Sequence, residues 1–372
     1  MKNQNTYQMC SKTVMDTTDS EITFDQNGVC NHYHEFMKLA PSQLYQGLET
    51  DLKLEILVEQ IKKAGSKSDY DCICGISGGV DSSYVAYLSK QLGLRVLTVH
   101  FDNGWNSELA VKNIENIVKN LKFDYKTWVV DWEEFKDLQI AFLKASVANA
   151  EIPTDHAFLA AIYRLCSKHN IKYILSGSNF ATEGILPKSW GYNAKDIKHI
   201  KAIHKRFGSV PFKTYPLLGF KKEFYYTYVK GIKMVRLLNY VNYIKSDAMK
   251  IIESNLGWRN YGGKHHESIF TKFFQSHILP VKFNIDKRKA HLSTLICSGQ
   301  ITREQALIEL NKDLYSAESL KSDRDYVIKK LGLSESEFQS IMDSPPKSYT
   351  EYPNDEKKLK FIYSVYYKLI KR

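Results

Sequence analysis

The chain has 372 residues, 43% of them hydrophobic, and a formal net charge of +11. This length and composition describe a globular protein with a full core. No run of about 18 apolar residues is present to span a membrane, and residues 1–8 lack the apolar centre of a signal peptide. The six cysteines are scattered, which argues against a secreted disulfide framework. We therefore expect a cytoplasmic protein.

The net positive charge of the chain arises from its second half. Residues 1–186 carry 18 Lys and Arg against 23 Asp and Glu, whereas residues 187–372 carry 34 against 18. An acidic partner or substrate is therefore expected to contact the second half. A nucleic acid, a carboxylated sugar, a nucleotide sugar or an acidic protein surface would each meet that expectation.

In chain order, an irregular N-terminal cap is followed by alternating strands and helices. Residues 1–45 contain many turn formers, and the apolar spacing then predicts a helix over 48–64. The expected strands are 72–76, 95–101, 125–130 and 173–176, with helices at 82–92, 108–121, 132–148 and 155–169 between them. This alternation predicts an α/β fold with a doubly wound parallel sheet.

The remainder of the chain is aromatic, basic and less regular. Helical patterns at 247–256, 303–310 and 323–331 predict a mainly helical region that contacts substrate or partner. We divide the chain into the cap at 1–45, an α/β domain at 46–225 and this helical region at 226–372.

The first predicted strand leads into Ser-Gly-Gly-Val-Asp-Ser-Ser at residues 77–83. Gly78 and Gly79 allow backbone angles that a Cβ would penalise, so successive amides can surround an anion. Three hydroxyls, of Ser77, Ser82 and Ser83, add donors near a helix N-terminus. The segment lacks the Gly-Lys-Ser/Thr ending of the Walker loop. It predicts a site for a phosphate chain, the alternative being a tight turn without a ligand.

Two further strand ends should face the same crevice, because ligands of such sheets lie beyond the carboxyl ends of the strands. Asp102 and Asn103 follow the second strand, and Gly177 and Ser178 follow the fourth. Asp102 or Asn103, together with Gly177 and Ser178, is expected to border the nucleotide part of a ligand.

The motif at 77–83 resembles the pyrophosphatase loop of the PP-loop ATPases, which cut ATP between its α and β phosphates. Over nearly the whole chain the sequence is similar to the N-acetyl sugar amidotransferases of bacterial surface-polysaccharide (including O-antigen) and nonulosonic-acid pathways. The blocks that single out this family are at 14–19, 22–25, 28–32, 104–107, 154–158, 228–233, 264–271 and 279–283.

The resemblance implies that ATP adenylates the acetamido oxygen of an N-acetylated sugar and that ammonia then replaces it, giving an acetamidino sugar, AMP and diphosphate. Mg²⁺ would neutralise the diphosphate. Asp81 is then either a magnesium-linked acid or a turn-stabilising side chain. Lys221, in a Pro-Leu-x-x-Phe-Lys-x-Glu element, would approach the phosphates unless it is a surface residue.

For the sugar, the resemblance assigns Asp155 and His156 to orienting the acetamido group or ammonia; alternatively, Thr154 or Asp155 is only an N-cap. Four basic residues are assigned to an acidic sugar, with the planar guanidinium of the arginine suited to a carboxylate: His265, His266, Arg288 and His291.

The cap departs from the family, many members of which have two Cys-x-x-Cys pairs suited to zinc. Here Thr13 stands three residues after Cys10, and Tyr33 three residues after Cys30, so we do not expect a structural zinc. A glutaminase signature is also missing. The implied ammonia source is therefore a separate glutaminase with a cyclase-like partner.

Two alternatives remain at the level of sequence. One is tRNA modification by thiolation or base adenylation, which would use the basic half and, for thiolation, Cys166; we do not expect nucleic acid to be the substrate. The other is a noncatalytic nucleotide-binding scaffold, against which the intact loop at 77–83 argues.

Overall fold

The computed structural model describes residues 7–263, 266–361 and 364. Its centre is a five-stranded sheet in the order β3-β2-β1-β4-β5, in which every neighbouring pair is parallel. The strands are β1 (Cys72–Gly75), β2 (Val96–Asp102), β3 (Asp124–Val129), β4 (Tyr173–Ser176) and β5 (Lys233–Arg236). The predicted doubly wound parallel sheet is thereby confirmed.

Helices connect the strands and cover both faces of the sheet. In the first part of the chain they are α1 (Asn31–Gln43), α2 (Leu48–Gly65), α3 (Val80–Gln91), α4 (Glu108–Leu121), α5 (Trp132–Lys144), α6 (Ile152–Lys168), α7 (Phe180–Glu183), α8 (Ile197–Phe207) and α9 (Phe220–Phe224). Because α3 directly follows β1, the N-terminus of α3 lies at the carboxyl edge of the sheet.

The C-terminal region is helical, as predicted. It contains α10 (Lys245–Leu256), α11 (Ile269–Phe273), α12 (Leu279–Phe283), α13 (Lys287–Cys297), α14 (Arg303–Leu310), α15 (Ala317–Leu331) and α16 (Glu335–Asp343). A π-helical turn, Phe274–Ile278, joins α11 to α12. The division of the chain at residues 45 and 225 stays a prediction.

The fifth strand was not predicted. β5 has the sequence Lys-Met-Val-Arg and lies at the sheet edge, where it pairs only with β4. Three of its four side chains are exposed, so the strand lacks the apolar alternation that marks a half-buried strand. Its pairing extends the sheet past residue 225.

The N-terminal cap is less irregular than predicted. Residues 7–30 have only isolated bridges, Met9 with Asp16 and Phe24 with Cys30, but α1 then runs for 13 residues. Its only fully buried side chain is Phe36, which stacks on Phe180 with ring centroids 4.4 Å apart. With so few core positions, α1 has a weak apolar pattern, and its helical nature was missed.

Separate apolar cores form on the two faces of the sheet. Cys72 and Cys74 of β1 point into the core shared with α2, α3 and α10, whereas Ile73 packs with α6 on the opposite face. This alternation is the period of two expected for a strand. A third cluster joins the sheet to the cap and the C-terminal helices around Trp105, which is fully buried. The cap and the helical region are therefore packed around the carboxyl edge of the sheet.

Candidate functional site

The loop between β1 and α3 has a geometry that requires glycine. Gly78 has a φ of +83°, and a Cβ at this residue would lie 2.7 Å from the carbonyl oxygen of Ala110. Both the backbone conformation and the lack of space therefore exclude a side chain. The carbonyl of Gly78 accepts a 2.7 Å hydrogen bond from Nε1 of Trp258. A residue of the C-terminal region thus helps to fix the shape of the loop.

Two of the three hydroxyls in the motif lie on the open side of this loop. The Oγ atoms of Ser77 and Ser82 are 3.2 Å apart, and both residues line the two cavities described below. Ser83 is fully buried, and its hydroxyl donates a 2.6 Å hydrogen bond to the carbonyl of Gly79 inside α3. The diphosphate role predicted for the Ser83 side chain does not fit this position.

Asp81 lies in the first turn of α3 and lines the larger of those two cavities. Its Oδ1 accepts hydrogen bonds from the hydroxyl of Tyr243 and, at 3.4 Å, from Nδ2 of Asn179. Burial, together with the neighbouring Asp81 carboxylate, raises the pKa of Tyr243 well above its ordinary value. These contacts hold the Asp81 carboxylate between α3, the end of β4 and the C-terminal region.

Two cavities meet at the loop. One, of about 440 Å³, lies over the strand ends and is called the strand-end cavity. The other, of about 580 Å³, is walled largely by the C-terminal region and is called the helical cavity. Residues that line both are Ser77, Ser82, Gly177, Glu267, Gln275 and Lys287. The loop therefore forms part of the wall that the two cavities share.

Gly177 and Ser178 lie where they were expected, beside the loop. A Cβ on Gly177 would be 3.0 Å from the backbone nitrogen of Ser82, so this glycine lets the end of β4 approach the start of α3. Ser178 lines the strand-end cavity.

Asp102 does not line the strand-end cavity. Its Oδ1 instead accepts hydrogen bonds from the backbone nitrogen of Gly104 at 2.8 Å and from Nδ2 of Asn106 at 3.1 Å. The carboxylate stabilises the turn after β2, so the expectation that it borders AMP does not fit. His100 and Asn106 line the cavity in its place, together with Asn103.

His100 joins β2 to the loop as a neutral ring. Nδ1 lies 3.1 Å from the carbonyl oxygen of Ile76, and Nε2 lies 3.0 Å from Nδ2 of Asn106. Burial lowers the pKa of His100, which favours the neutral form with Nδ1 as donor and Nε2 as acceptor. These two contacts therefore fix the position of the His100 ring in the wall of the strand-end cavity.

Of the two residues at the start of α6, Asp155 lines the strand-end cavity and His156 does not. Nδ1 of His156 lies 2.6 Å from the carbonyl of Ala194, and Nε2 accepts a 3.0 Å hydrogen bond from the backbone nitrogen of Leu218. Burial lowers its pKa to about 4. Because both ring nitrogens are used by the backbone, the predicted substrate-orienting role of His156 does not fit.

The alternative reading of Thr154 or Asp155 as an N-cap also fails. The helix begins at Ile152, one turn earlier than predicted, and its N-cap residue is Glu151. Proline at position 153 is compatible with this start, since the first turn of a helix has no intrahelical use for its N–H groups.

Two predicted cationic contacts are corrected by the structure. Lys221 is exposed on α9 and lines none of the cavities described here. Arg288 lines the helical cavity, but its guanidinium forms an ion pair with Asp286 at 2.8 Å and donates to the carbonyl of Lys312 at 2.7 Å. Its planar fork is therefore used to join α13 to the end of α14 and is not available to a sugar carboxylate.

His266 and His291 line the helical cavity, and their role in sugar binding stays a prediction. His265 lies outside the residues that the structure describes.

Sequence reasoning missed three residues at the junction of the cavities: Glu151, Gln275 and Lys287. Nζ of Lys287 lies 3.1 Å from Oε2 of Glu151, and Nε2 of Gln275 lies 2.9 Å from the same oxygen. Gln275 belongs to the π-helical turn, a feature that is frequent at functional sites. These residues are far apart in the sequence and meet only through tertiary packing, so no local pattern identified them.

Among the described residues, no group of three or more His, Cys, Asp and Glu is placed to hold a metal ion. His32 pairs with Asp19 at 2.6 Å. The sulfur of Cys10 accepts a hydrogen bond from the backbone nitrogen of Cys30; the contact between the two thiols lowers the pKa of Cys10 and raises that of Cys30.

The cap is instead fastened to the C-terminal region by direct contacts. Lys289 forms a 2.5 Å ion pair with the buried carboxylate of Asp16, and the guanidinium of Arg303 donates to the carbonyls of Thr13 and Cys10. These contacts hold the cap in the way that a structural metal does in other small domains.

The donor set around the loop fits a magnesium ion that accompanies a nucleotide. Mg²⁺ at such sites uses one or two carboxylates and completes its shell with phosphate oxygens and water. Asp81, Glu183 and Glu267 are carboxylates that line the helical cavity, and Oε1 of Glu267 lies 3.3 Å from the position that a Cβ on Gly79 would occupy. A bound Mg²⁺ would neutralise the charge that develops on a leaving diphosphate.

The parallel sheet and the glycine-containing loop after β1 are the features expected of a PP-loop domain, and sequence comparison agrees. Residues 51–210 match the NAD synthase family. This part of the chain therefore belongs to the PP-loop superfamily, as the sequence indicated. Residues 267–367 match the family described as LPS biosynthesis protein WbpG-like, C-terminal domain, and this part of the helical region is called the WbpG-like domain.

Two curated relatives match a minor part of the chain. The chain is 29% identical over 121 residues to a 7-cyano-7-deazaguanine synthase of Campylobacter jejuni subsp. doylei, covering 28% of this chain and 54% of that protein. It is 36% identical over 67 residues to the synthase of C. jejuni subsp. jejuni serotype O:2, covering 18% and 30%. The chain thus spans about half, or less, of the length of these relatives.

Solved structures with a related arrangement are more distant. An NH3-dependent NAD synthetase from C. jejuni subsp. jejuni is 18% identical, with a TM-score of 0.30, over 42% of this chain and 72% of that one. An NMN synthetase from Francisella tularensis is 12% identical, with a TM-score of 0.31, over 59% and 99%.

Among residues 7–263, 266–361 and 364, no helix is both long and apolar enough to cross a membrane.

Proposed function

We propose that this protein is an ATP-dependent amidotransferase that converts the acetamido group of an N-acetylated sugar into an acetamidino group. The observation behind the proposal is the position of the PP-loop, on a wall shared by a cavity over the strand ends and a cavity built with the WbpG-like domain. A nucleotide in one cavity and a sugar in the other would meet at Ser77 and Ser82.

We assign the adenosine to the strand-end cavity. This cavity has an apolar wall, suited to a base, formed by Phe101, Phe158, Leu159, Ile162, Ile174 and Met234. Gly177 and Ser178 would border the ribose and α-phosphate. The diphosphate would lie against Ser77, Gly78, Gly79 and Ser82 at the N-terminus of α3, where the helix dipole favours an anion.

The sugar is assigned to the helical cavity. Its volume of about 580 Å³ is in the usual range for a small-molecule site, and its histidines, His266 and His291, belong to the basic half of the chain. An acidic sugar would suit these surroundings. Arg288 would hold α13 against the end of α14 through its hydrogen bond to the carbonyl of Lys312 rather than bind the carboxylate itself.

The chemistry explains why ATP is needed. An amide oxygen is a poor leaving group. Its attack on the α-phosphorus forms an O–P bond and expels diphosphate, which leaves an O-adenylated imidate. Ammonia then forms a bond to the imidate carbon while the C–O bond breaks, so the former acetamido oxygen departs in AMP. Aligned donors at Ser77 and Ser82 would stabilise charge that develops on the phosphate oxygens.

The ammonia is proposed to come from another protein. We expect a separate glutaminase, acting with a cyclase-like partner, to supply ammonia to this site, and we expect the reaction to take place in the cytoplasm.

One observation argues against the thiolation alternative. Cys166 is fully buried in α6, and burial raises the pKa of its thiol. A persulfide carrier needs an accessible sulfur with thiolate character, which Cys166 does not provide.

The test is mass spectrometry of 2,3-diacetamido sugars and nonulosonic acids incubated with the protein, ATP, Mg²⁺ and ammonium. We expect the mass change of oxygen replaced by NH, and formation of AMP that depends on the sugar. Gly78→Ala, checked for folding by its melting temperature, serves as the inactive control. ATP cleavage stimulated by tRNA and not by any sugar, with binding that weakens steeply in salt, would overturn the proposal.

A further inference from the structure

An ion pair closes the junction between the two cavities. Lys287, the first residue of α13 in the WbpG-like domain, reaches Glu151, the N-cap residue of α6 in the PP-loop domain, at 3.1 Å. Their side chains are 21% and 18% exposed, respectively. Lys287 lines both cavities, and Glu151 lines the strand-end cavity.

The carboxylate of Glu151 is arranged to receive N–H donors. Its two oxygens accept hydrogen bonds from the Gln275 amide at 3.1 and 2.9 Å in addition to the Lys287 ammonium. The side chain has no role in capping α6. Its contacts are therefore directed across the domain junction, beside the place where the proposed reaction occurs.

We infer that Glu151 is a further catalytic residue, which holds the ammonia nucleophile as ammonium, and that Lys287 covers it until an anionic nucleotide arrives. This inference rests on the proposed function. The ε-ammonium of Lys287 is a primary ammonium ion bound to a carboxylate, which is the contact that free ammonium would make. Phosphate groups beside the shared wall would attract Lys287, and the exchange would uncover Glu151.

The proposed attack on the imidate needs no reactant other than ammonium, the adenylated imidate and the Glu151 carboxylate. Bound ammonium gives one proton to a carboxylate oxygen of Glu151. The lone pair of the resulting ammonia forms the C–N bond at the imidate carbon, the C–O electron pair leaves with AMP, and the nitrogen loses a second proton to solvent as the amidine forms. Because Lys287 covers Glu151 before ATP binds, ammonium binds after the nucleotide.

The first test measures ammonium binding directly and needs no sugar. Thermal unfolding is followed with a nonhydrolysable ATP analogue and Mg²⁺, in ammonium chloride or in tetramethylammonium chloride, which has the same charge but no N–H donors. Ammonium should raise the melting temperature of the wild type more than tetramethylammonium does, since a bound ligand stabilises the native state. Glu151→Gln should abolish this difference.

The matched control is Asp323→Asn. Asp323 pairs with Lys272 at 2.7 Å, with side chains 24% and 20% exposed, and also accepts a hydrogen bond from Tyr315. It resembles Glu151 in burial and partners but does not line these cavities. The control should keep the ammonium effect. Equal melting temperatures of the wild type in the two salts, or the same loss in both variants, would overturn the inference.

The second test separates the two half-reactions. Glu151→Gln should keep sugar-dependent exchange of labelled diphosphate into ATP while kcat/KM for ammonia falls by at least about 10-fold, because the variant loses both the charged hydrogen-bond acceptor and the proton acceptor. Lys287→Ala should weaken ATP binding without raising the KM for ammonia. Equal loss of exchange and amidine formation in Glu151→Gln would show a structural role. Failure of wild-type protein with every sugar would instead refute the proposed function.

Discussion

Replacing Ser82 should weaken ATP binding, whereas replacing its neighbour Ser83 should lower stability and leave ATP binding nearly unchanged. The hydroxyl of Ser82 lies on the cavity side of the loop, 3.2 Å from that of Ser77. Removing one hydrogen bond to a charged phosphate costs about 1.5–3 kcal/mol, which corresponds to a roughly 10- to 150-fold weaker affinity. We therefore expect Ser82→Ala to weaken ATP binding by this factor.

Ser83→Ala is the matched control, because only the burial of the hydroxyl differs. The Ser83 hydroxyl donates to the carbonyl of Gly79, which also accepts from the backbone nitrogen of Ser83 at 3.0 Å and from the Ser82 hydroxyl at 3.2 Å. The acceptor stays satisfied after substitution. The expected cost is about 0.5–1.5 kcal/mol of stability, with ATP affinity within about twofold of the wild type.

Isothermal titration calorimetry with ATP and Mg²⁺, combined with denaturant unfolding, measures both quantities. Loss of ATP affinity in Ser83→Ala as large as in Ser82→Ala would refute the assignment of these hydroxyls. Unchanged affinity in Ser82→Ala would refute phosphate binding at the open side of the loop.

Three further predictions concern the loop, acid stability and the cap. Gly78→Ala should cost about 1–3 kcal/mol from the φ of +83°, and more from the contact with Ala110, and should abolish ATP binding in calorimetry; normal binding would contradict the loop geometry. Because burial lowers the pKa of His156 from 6.5 to about 4, the unfolded state binds more protons between these values, so the free energy of unfolding should fall as pH decreases from 6.5 to 4. The slope for one such group is at most about 1.4 kcal/mol per pH unit, and a His156→Gln variant should show a smaller slope; an unchanged slope in denaturant titrations would contradict it. Metal analysis should find well below one zinc per chain, and EDTA should leave the melting temperature unchanged; stoichiometric zinc bound through Cys10 and Cys30 would refute this.

The loop was predictable because its sequence motif is local. Ser77, Gly78 and Gly79 follow an apolar strand directly, and the φ of +83° at Gly78 is one that glycine adopts readily. The contacts of the loop with Ala110 and Trp258 are tertiary and were not predicted. The parallel sheet followed from the alternation of strand and helix patterns for the same reason. Only β5 was missed, since an exposed edge strand lacks an apolar period.

The roles of polar side chains were less predictable, because they depend on distant partners. Arg288 has the chemistry to bind a carboxylate, yet Asp286 and the end of α14 occupy its guanidinium. His156 was assigned to substrate, yet the carbonyl of Ala194 and the amide of Leu218 use both nitrogens. Residue type and spacing describe what a side chain can bind; tertiary packing decides what it contacts.

The contact between Lys287 and Glu151 at the domain junction could not be predicted from the sequence either. Lys287 lies one position before Arg288, and nothing in the sequence favours one over the other. The structure distinguishes them, because Lys287 reaches across to Glu151 at the meeting point of the cavities whereas Arg288 turns back to its own region. Sites built between two domains are therefore the ones that sequence reasoning locates least well.

The central claim is that ATP activates the acetamido oxygen itself, and isotope transfer tests it most directly. A sugar substrate with heavy-isotope oxygen in the acetamido group is incubated with the protein, ATP, Mg²⁺ and ammonium, and the AMP is analysed by mass spectrometry. The account predicts that one labelled oxygen appears in AMP for each amidine formed. Unlabelled AMP together with label in inorganic phosphate or water would contradict it.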